Sequence, residues 1–406
     1  MTDLPAGRRM AYWRDRRGMS QQTLADALGK SKSWVDKVER GVRRLDKLSN
    51  LQDIARALRI DVQLLLDTDP PPAASPGTVA DRPISDRDID AVRAALFRCA
   101  TPTHLDRAHT PPAELDRSAE HAWLAFQHAD YRQLLRTLPD LLRGTQLNRA
   151  AHPGARTCHL LGQAHQLTSA VLGKVGETGM AWLAADRAIT ICQDADDELL
   201  AAAATVQLAR VLRALGHPRD TMEVAITAAQ RLAPTDPRTA PPSRLSWYGT
   251  LLLQAAAGAA GCGARHTATE LLDQADETAA LLGEDRNERG ISFGPVVVDL
   301  ARVTTTLDLS GRTDALALHR KLVAAAAFQQ LPKQCRAAYL VDVAGQCVRL
   351  GDLPEAGRAL LLTNRVAPTE IRHRPAACDT LRAVVRRSTR PAPEIIRLAE
   401  TLRIAV

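Results

Sequence analysis

Apolar residues recur at helical spacing along most of this chain, and the tightest pattern lies in residues 20–41, SQQTLADALGKSKSWVDKVERG. Leu24, Ala25 and Leu28 share one face of a helix predicted from Gln21 to Leu28. Val35 and Val38 share a face of a second helix, from Ser31 or Lys32 to Arg40. Ala25 is small where the two helices must cross. Gly29 follows the last apolar residue of the first helix, where the backbone turns left-handed at little cost to glycine. Ser20 and Ser31 stand where N-caps belong. Two helices joined in this way form a helix-turn-helix, whose second helix is shaped to enter a DNA major groove. A helical hairpin without a ligand is the alternative. Against it, counting from Gln21, the small residue falls at position five, glycine at nine and branched apolar residues at fifteen and eighteen.

From Ser85 to the end the pattern is again helix after helix, and breakers divide it. Ala129-Asp130, Gly176-Glu177, Gly216-His217, Gly263-Ala264, Gly311-Arg312 and Gly351-Asp352 recur at steps of 47, 40, 47, 48 and 40 residues. Ala181 and Ala188 follow Gly176 at five and twelve residues, and Ala268 and Ala275 follow Gly263 at the same offsets. Ala356 follows Gly351 at five. Small residues there let the second helix of a pair lie close to the first. Between the two helical regions, residues 68–84 hold five prolines in seventeen positions and little to bury, which marks a stiff linker. The predicted organisation is a head over 1–67, a linker over 68–84 and a repeat domain over 85–406.

Composition supports an all-α fold. Apolar residues make up 45% and aromatic residues only 3%, so the core is built from Ala, Leu and Val. No apolar run approaches the roughly 20 residues needed to span a bilayer, and no apolar signal segment opens the chain. Seven cysteines, scattered without a CxxC, fit a reducing cytoplasm. Charge changes the picture more: residues 1–67 carry 14 Lys+Arg against 9 Asp+Glu, whereas the other 339 carry 39 against 37. The surplus therefore sits on the helix-turn-helix, where neutralising phosphates supplies affinity.

Residues 7–67 resemble the XRE, or Cro/phage-repressor, family. Met10, Trp13, Arg14, Gly18, Met19, Ser20 and Gln21 carry the likeness ahead of the motif. Leu51, Ile54, Ala55, Leu58, Ile60, Leu65 and Leu66 carry it behind. Trp34, Asp15 and Arg17 depart from the family pattern. The resemblance implies a five-helix, lambda-repressor-like fold that binds operators in double-stranded DNA as a homodimer. It also implies that Arg14 and Glu39 pair, tying the first helix to the recognition helix, and that Gln21 grips a phosphate. The breaker pattern resembles degenerate tetratricopeptide repeats, best in LGDLPEAGRALLLTNRVAP (Leu350–Pro368), although the period exceeds the usual 34 and the aromatic positions are mostly lost. An irregular bundle is the competing arrangement. A solenoid of such repeats leaves an extended concave face suited to a peptide or protein ligand. The domain order resembles the peptide-responsive quorum-sensing regulators of Gram-positive bacteria.

On the recognition helix, Lys32, Ser33 and Lys37 project from the face opposite Val35 and Val38 and can reach base edges. Trp34 can touch a thymine methyl or sugar edge, or pack on the bundle. Arg40, Arg43 and Arg44 follow the helix and meet the DNA backbone.

No catalytic or metal site emerges, and no cofactor is expected. His159 and His165, beside Cys158, are six apart and do not share a helix face. His121 and His128 share one but lack a further ligand. Neither GxxxxGK[ST] nor GxSxG occurs. GCGARHTATE (Gly261–Glu270) falls at a repeat turn, without the strand a phosphate loop needs, and Arg386, Arg387 and Arg390 read as a solvated helix end. The sequence points to a DNA-binding transcriptional regulator whose repeats sense a signal or dimerise. The alternative is an interaction scaffold with auxiliary DNA binding.

Overall fold

A computed structural model describes residues 10–11, 14, 19–40, 53–54, 57–58, 84–97, 110–288, 290–309 and 312–404. The chain divides into two compact units, Met1–Gly77 and Thr78–Val406. Among the described residues no helix is long and apolar enough to cross a membrane.

In the first unit, α1 (Gln21–Ala27) and α2 (Lys32–Glu39) form the helix-turn-helix. Ser20 and Ser31 cap them by accepting from the amides of Thr23 and Trp34 at 3.0 and 3.2 Å. Gly29 has φ +60, and the Lys30 amide donates back to the Ala25 carbonyl at 2.9 Å. Leu24, Ala25, Val35 and Val38 are fully buried with Met10, Ile54 and Leu58, and Met19, Leu28 and Trp34 close the edge of this core.

The second unit is a stack of α-helix pairs. It opens with α3 (Asp86–Phe97), then runs as helix pairs. These are α4 (Pro112–Gln127) with α5 (Tyr131–Ala151), α6 (Ala155–Lys174) with α7 (Thr178–Ala195), and α8 (Glu198–Ala214) with α9 (Pro218–Leu232). Next come α10 (Pro242–Gly261) with α11 (Arg265–Leu282), and α12 (Pro295–Asp308) with α13 (Arg312–Ala324). After the short α14 (Ala326–Gln330) follow α15 (Lys333–Arg349) with α16 (Leu353–Val366), the short α17 (Pro368–His373), and α18 (Pro375–Arg387) with α19 (Pro393–Thr401).

Five of the six sequence breakers are the turns inside pairs, and they share one geometry. Ala129, Gly176, Gly216, Gly263 and Gly351 all have positive φ. The next amide donates to the carbonyl five residues back: Asp130 to Ala125, Glu177 to Leu172, His217 to Leu212, Ala264 to Ala259 and Asp352 to Cys347, at 2.8 to 2.9 Å. Gly311 lies outside the described residues. Ala181, Ala188, Ala268, Ala275 and Ala356 are fully buried, as close crossing within a pair requires.

The turns differ in what surrounds them. A Cβ at Gly216 (φ +81) meets open space, while one at Gly176 (φ +88) would lie 2.6 Å from Pro375 Cγ on α18. Gly216→Ala should therefore cost only the backbone term of about 1–2 kcal/mol. Gly176→Ala should cost visibly more, because Pro375 must also move. Urea unfolding of the two variants checks the order.

Two features depart from the sequence reading. A hairpin, β1 (Arg286–Glu288) with antiparallel β2 (Ile291–Phe293), follows α11 with Arg286 opposite Phe293. Phe293 fills the space left by Gly249 on α10, and the turn at Gly290 presses on Trp123 of the first pair. Three-residue strands are too short to show an alternating pattern. Second, the concave face is drawn in around a cavity. The stack curls until its first pairs meet its last, so Ala337 and Ala367 join the core of α3 to α7.

A buried charge cluster fastens that closure. Glu370 on α17 has no exposed surface. Its Oε1 accepts from Lys174 Nζ at 2.6 Å and from the Tyr131 hydroxyl, while Arg374 Nη1 lies 3.6 Å from Oε2. Arg374 also donates to Asp342 Oδ1 at 2.6 Å, and Thr369 Oγ1 donates to the Ala129 carbonyl at 2.7 Å.

Candidate functional site

The two units each carry a candidate site. In the first, the buried faces of α1 and α2 fix what the recognition helix α2 turns outward. Lys32, Ser33 and Lys37 are exposed on one side, opposite Val35 and Val38. Trp34 is half-buried and packs against the core, the second of the two placements open to it from the sequence. Arg40 is exposed just past the helix and pairs with Asp36 at 2.7 Å. Arg43 and Arg44 lie outside the described residues.

Behind this face sits a polar anchor. Arg14 Nε and Nη2 donate to Glu39 Oε1 and Oε2 at 2.6 and 3.2 Å, and Nη1 donates to the Met19 carbonyl at 2.7 Å. Both side chains are nearly buried, so this is a two-point fork between a guanidinium and a carboxylate out of water. The Gln21 amide donates to Glu39 Oε2 at 2.8 Å. Its Nε2 is thus engaged with the anchor at the start of α1. The arrangement fixes the axis of α2 against the start of α1 while leaving three hydrogen-bonding side chains free to face a groove.

The second site is the space the closed stack surrounds. Its volume is about 820 Å³, and the first helix of successive pairs lines it. Gln207, Arg210, Val211 and Ala214 on α8 and Thr250, Leu253, Gln254 and Ala257 on α10 occupy the same relative positions, three, four and seven residues along one face. The hairpin closes part of the wall through Gly290 and Ser292. The sequence reading missed these residues. Their signal is a polar residue recurring on an otherwise apolar stripe of consecutive pairs.

The histidines near Cys158 take ordinary places. His159 Nδ1 lies 3.0 Å from Asp197 Oδ2, and burial pushes the His165 imidazole down to about 3, so it stays neutral. Among the described residues no three His, Cys, Asp or Glu side chains cluster to hold a metal.

Residues 6–67 match the family model described as a helix-turn-helix domain. The first unit therefore carries a helix-turn-helix domain of the XRE type. No curated protein matches the chain. Among solved structures, the chain is similar to Bacillus thuringiensis PlcR, crystallised in complex with the peptide PapR7 and DNA. The identity is 12%, over 78% of this chain and 92% of that one, with a TM-score of 0.34.

Proposed function

We propose that this protein is a sequence-specific transcriptional regulator that binds operators as a homodimer and is governed by a peptide or small ligand held in the chamber of its helical-repeat unit. The observation that carries the DNA half is the outward face of α2. Lys32, Ser33 and Lys37 stand exposed on a helix whose other side is locked by a buried core and by the Arg14–Glu39 fork. Lysine donates to guanine O6 and N7, and serine serves several bases. Arg40, Arg43 and Arg44 supply phosphate contacts and so affinity rather than choice of sequence. The chamber supports the sensing half, because its volume lies within the range of ligand sites and polar groups interrupt its apolar wall.

Lys37 separates base reading from phosphate binding. Lys37→Ala should cost about 1–3 kcal/mol on the cognate site and relax the base preference beneath it. Fluorescence anisotropy against cognate and single-substituted duplexes measures both. An equal loss on every duplex would place Lys37 among the phosphate contacts.

A further inference from the structure

The chamber wall carries five cations, Lys174, Arg210, Arg213, Arg349 and Arg374, and two carboxylates, Asp308 and Asp342. Most of this charge is internally matched. Lys174 and Arg374 share Glu370 and Asp342, and Arg349 donates to Asp308. Arg213 comes no closer than 3.9 Å to Asp342, and with its side chain 45% exposed it faces water. Arg210 is different. It is half-buried on the chamber side of α8, and among the described residues no hydrogen bond or ion pair engages its guanidinium, which Asp342 attracts only from a distance. Burial draws its pKa down to about 10, so the group remains a cation at neutral pH. A guanidinium drawn from bulk water without a directly paired carboxylate is costly, and an anion beside it recovers that cost.

The neighbouring polar atoms are also unspent. Gln207, one turn before Arg210 on the same face, is 2% exposed, and Gln254 on α10 has a buried Oε1 without a partner. Gln346 on α15 donates to the Thr304 carbonyl, but its Oε1 is likewise buried and unpartnered. Val211, Leu253, Val297 and Leu300 add apolar wall to the same cavity.

We propose that the chamber binds an apolar organic molecule carrying a single negative charge, with Arg210 as its anchor, Gln207 as a further hydrogen-bonding partner and Gln254 Oε1 as acceptor for an N–H or O–H of the ligand. This rests on the reading that the chamber holds a ligand, and it narrows the chemistry. A free peptide would bring an ammonium as well as a carboxylate. That ammonium would need a counter-charge, and both wall carboxylates are already paired with arginines. A monoanion needs only the cation that is left over.

A matched pair of dyes tests the charge requirement on the full chain. 8-Anilinonaphthalene-1-sulfonate is an apolar monoanion, and N-phenyl-1-naphthylamine is the same ring system without the sulfonate. The first should bind with one site per chain, about 10- to 100-fold more tightly than the second, the range a charge-assisted hydrogen bond supplies. Arg210→Gln should remove that advantage and leave the neutral dye unchanged, with circular dichroism confirming the helical fold. Equal binding of the two dyes by the wild-type chain would overturn the anionic class while leaving a ligand chamber in place. So would an unchanged sulfonate affinity in Arg210→Gln. Binding of neither dye would overturn both the anion site and the sensing half of the proposed function. The wild-type comparison decides the charge requirement even if the variant misfolds.

Discussion

Glu370→Ala should destabilise the helical-repeat unit by about 3–5 kcal/mol, because it strands buried cations. Lys174 Nζ loses its 2.6 Å acceptor, Arg374 loses one of two carboxylates, and the Tyr131 hydroxyl loses its partner. The contacts join α5 and α6 to α17 and α18, so the loss should open the stack where its ends meet. Urea unfolding measures the stability. Hydrogen exchange should show faster opening in α5, α6 and α18 than in α10 and α11. Burial by itself would raise the Glu370 carboxyl pKa, but Lys174 and Arg374 outweigh it and hold the group below its usual range. A carboxyl lowered in the folded state stabilises above its unfolded pKa, so this contribution is fully present above about pH 5. It fades as acid brings the pH down through the lowered value. Glu370→Gln should flatten that part of the acid profile.

Glu39→Ala should cost the DNA-binding head about 3–5 kcal/mol for the same reason. It takes both carboxylate oxygens from the Arg14 guanidinium, whose residue is 9% exposed, and the acceptor from Gln21. A small head has little stability to spare. Protection of amides in Gln21–Glu39 should fall by two orders of magnitude or more, since about 1.4 kcal/mol is a factor of ten. Affinity for every duplex should fall together, because Glu39 faces the core and reads no base. Preserved protection in Glu39→Ala would show that the fork contributes little.

Local chemistry made much of this molecule legible in the sequence. Ser20, Gly29 and Ser31 fix the two helices of the head through contacts within six residues, and Leu24, Ala25, Val35 and Val38 fix their inner faces. The breakers at Gly176, Gly216, Gly263 and Gly351 are legible for the same reason, since one left-handed residue and one backward hydrogen bond end each first helix.

What was not legible depends on contacts far apart in the chain. Tyr131 and Glu370 stand 239 residues apart, and their meeting follows from a rotation accumulated over successive pairs that no single pair encodes. The concave face expected from the repeats is therefore drawn in around a chamber, and Arg210 is an inward cation rather than one more charge on a helix. Gln21 was read from its place at a helix start. The structure gives it Glu39, a partner eighteen residues on, which only the packing of α2 against α1 brings near. The hairpin at Arg286–Phe293 escaped because three alternating residues are too few to distinguish a strand from a turn.

Selection of duplexes from a random pool by the full-length protein, followed by salt titration of the winners, tests the central claim most directly. The account predicts one enriched motif, bound at least about 10³-fold more tightly than scrambled duplexes at moderate salt. Its affinity should fall steeply as salt rises, and the preference should weaken when Lys32, Ser33 and Lys37 are replaced together by alanine. A pool that returns unenriched, with all duplexes bound alike and the triple variant indistinguishable from wild type, would contradict it.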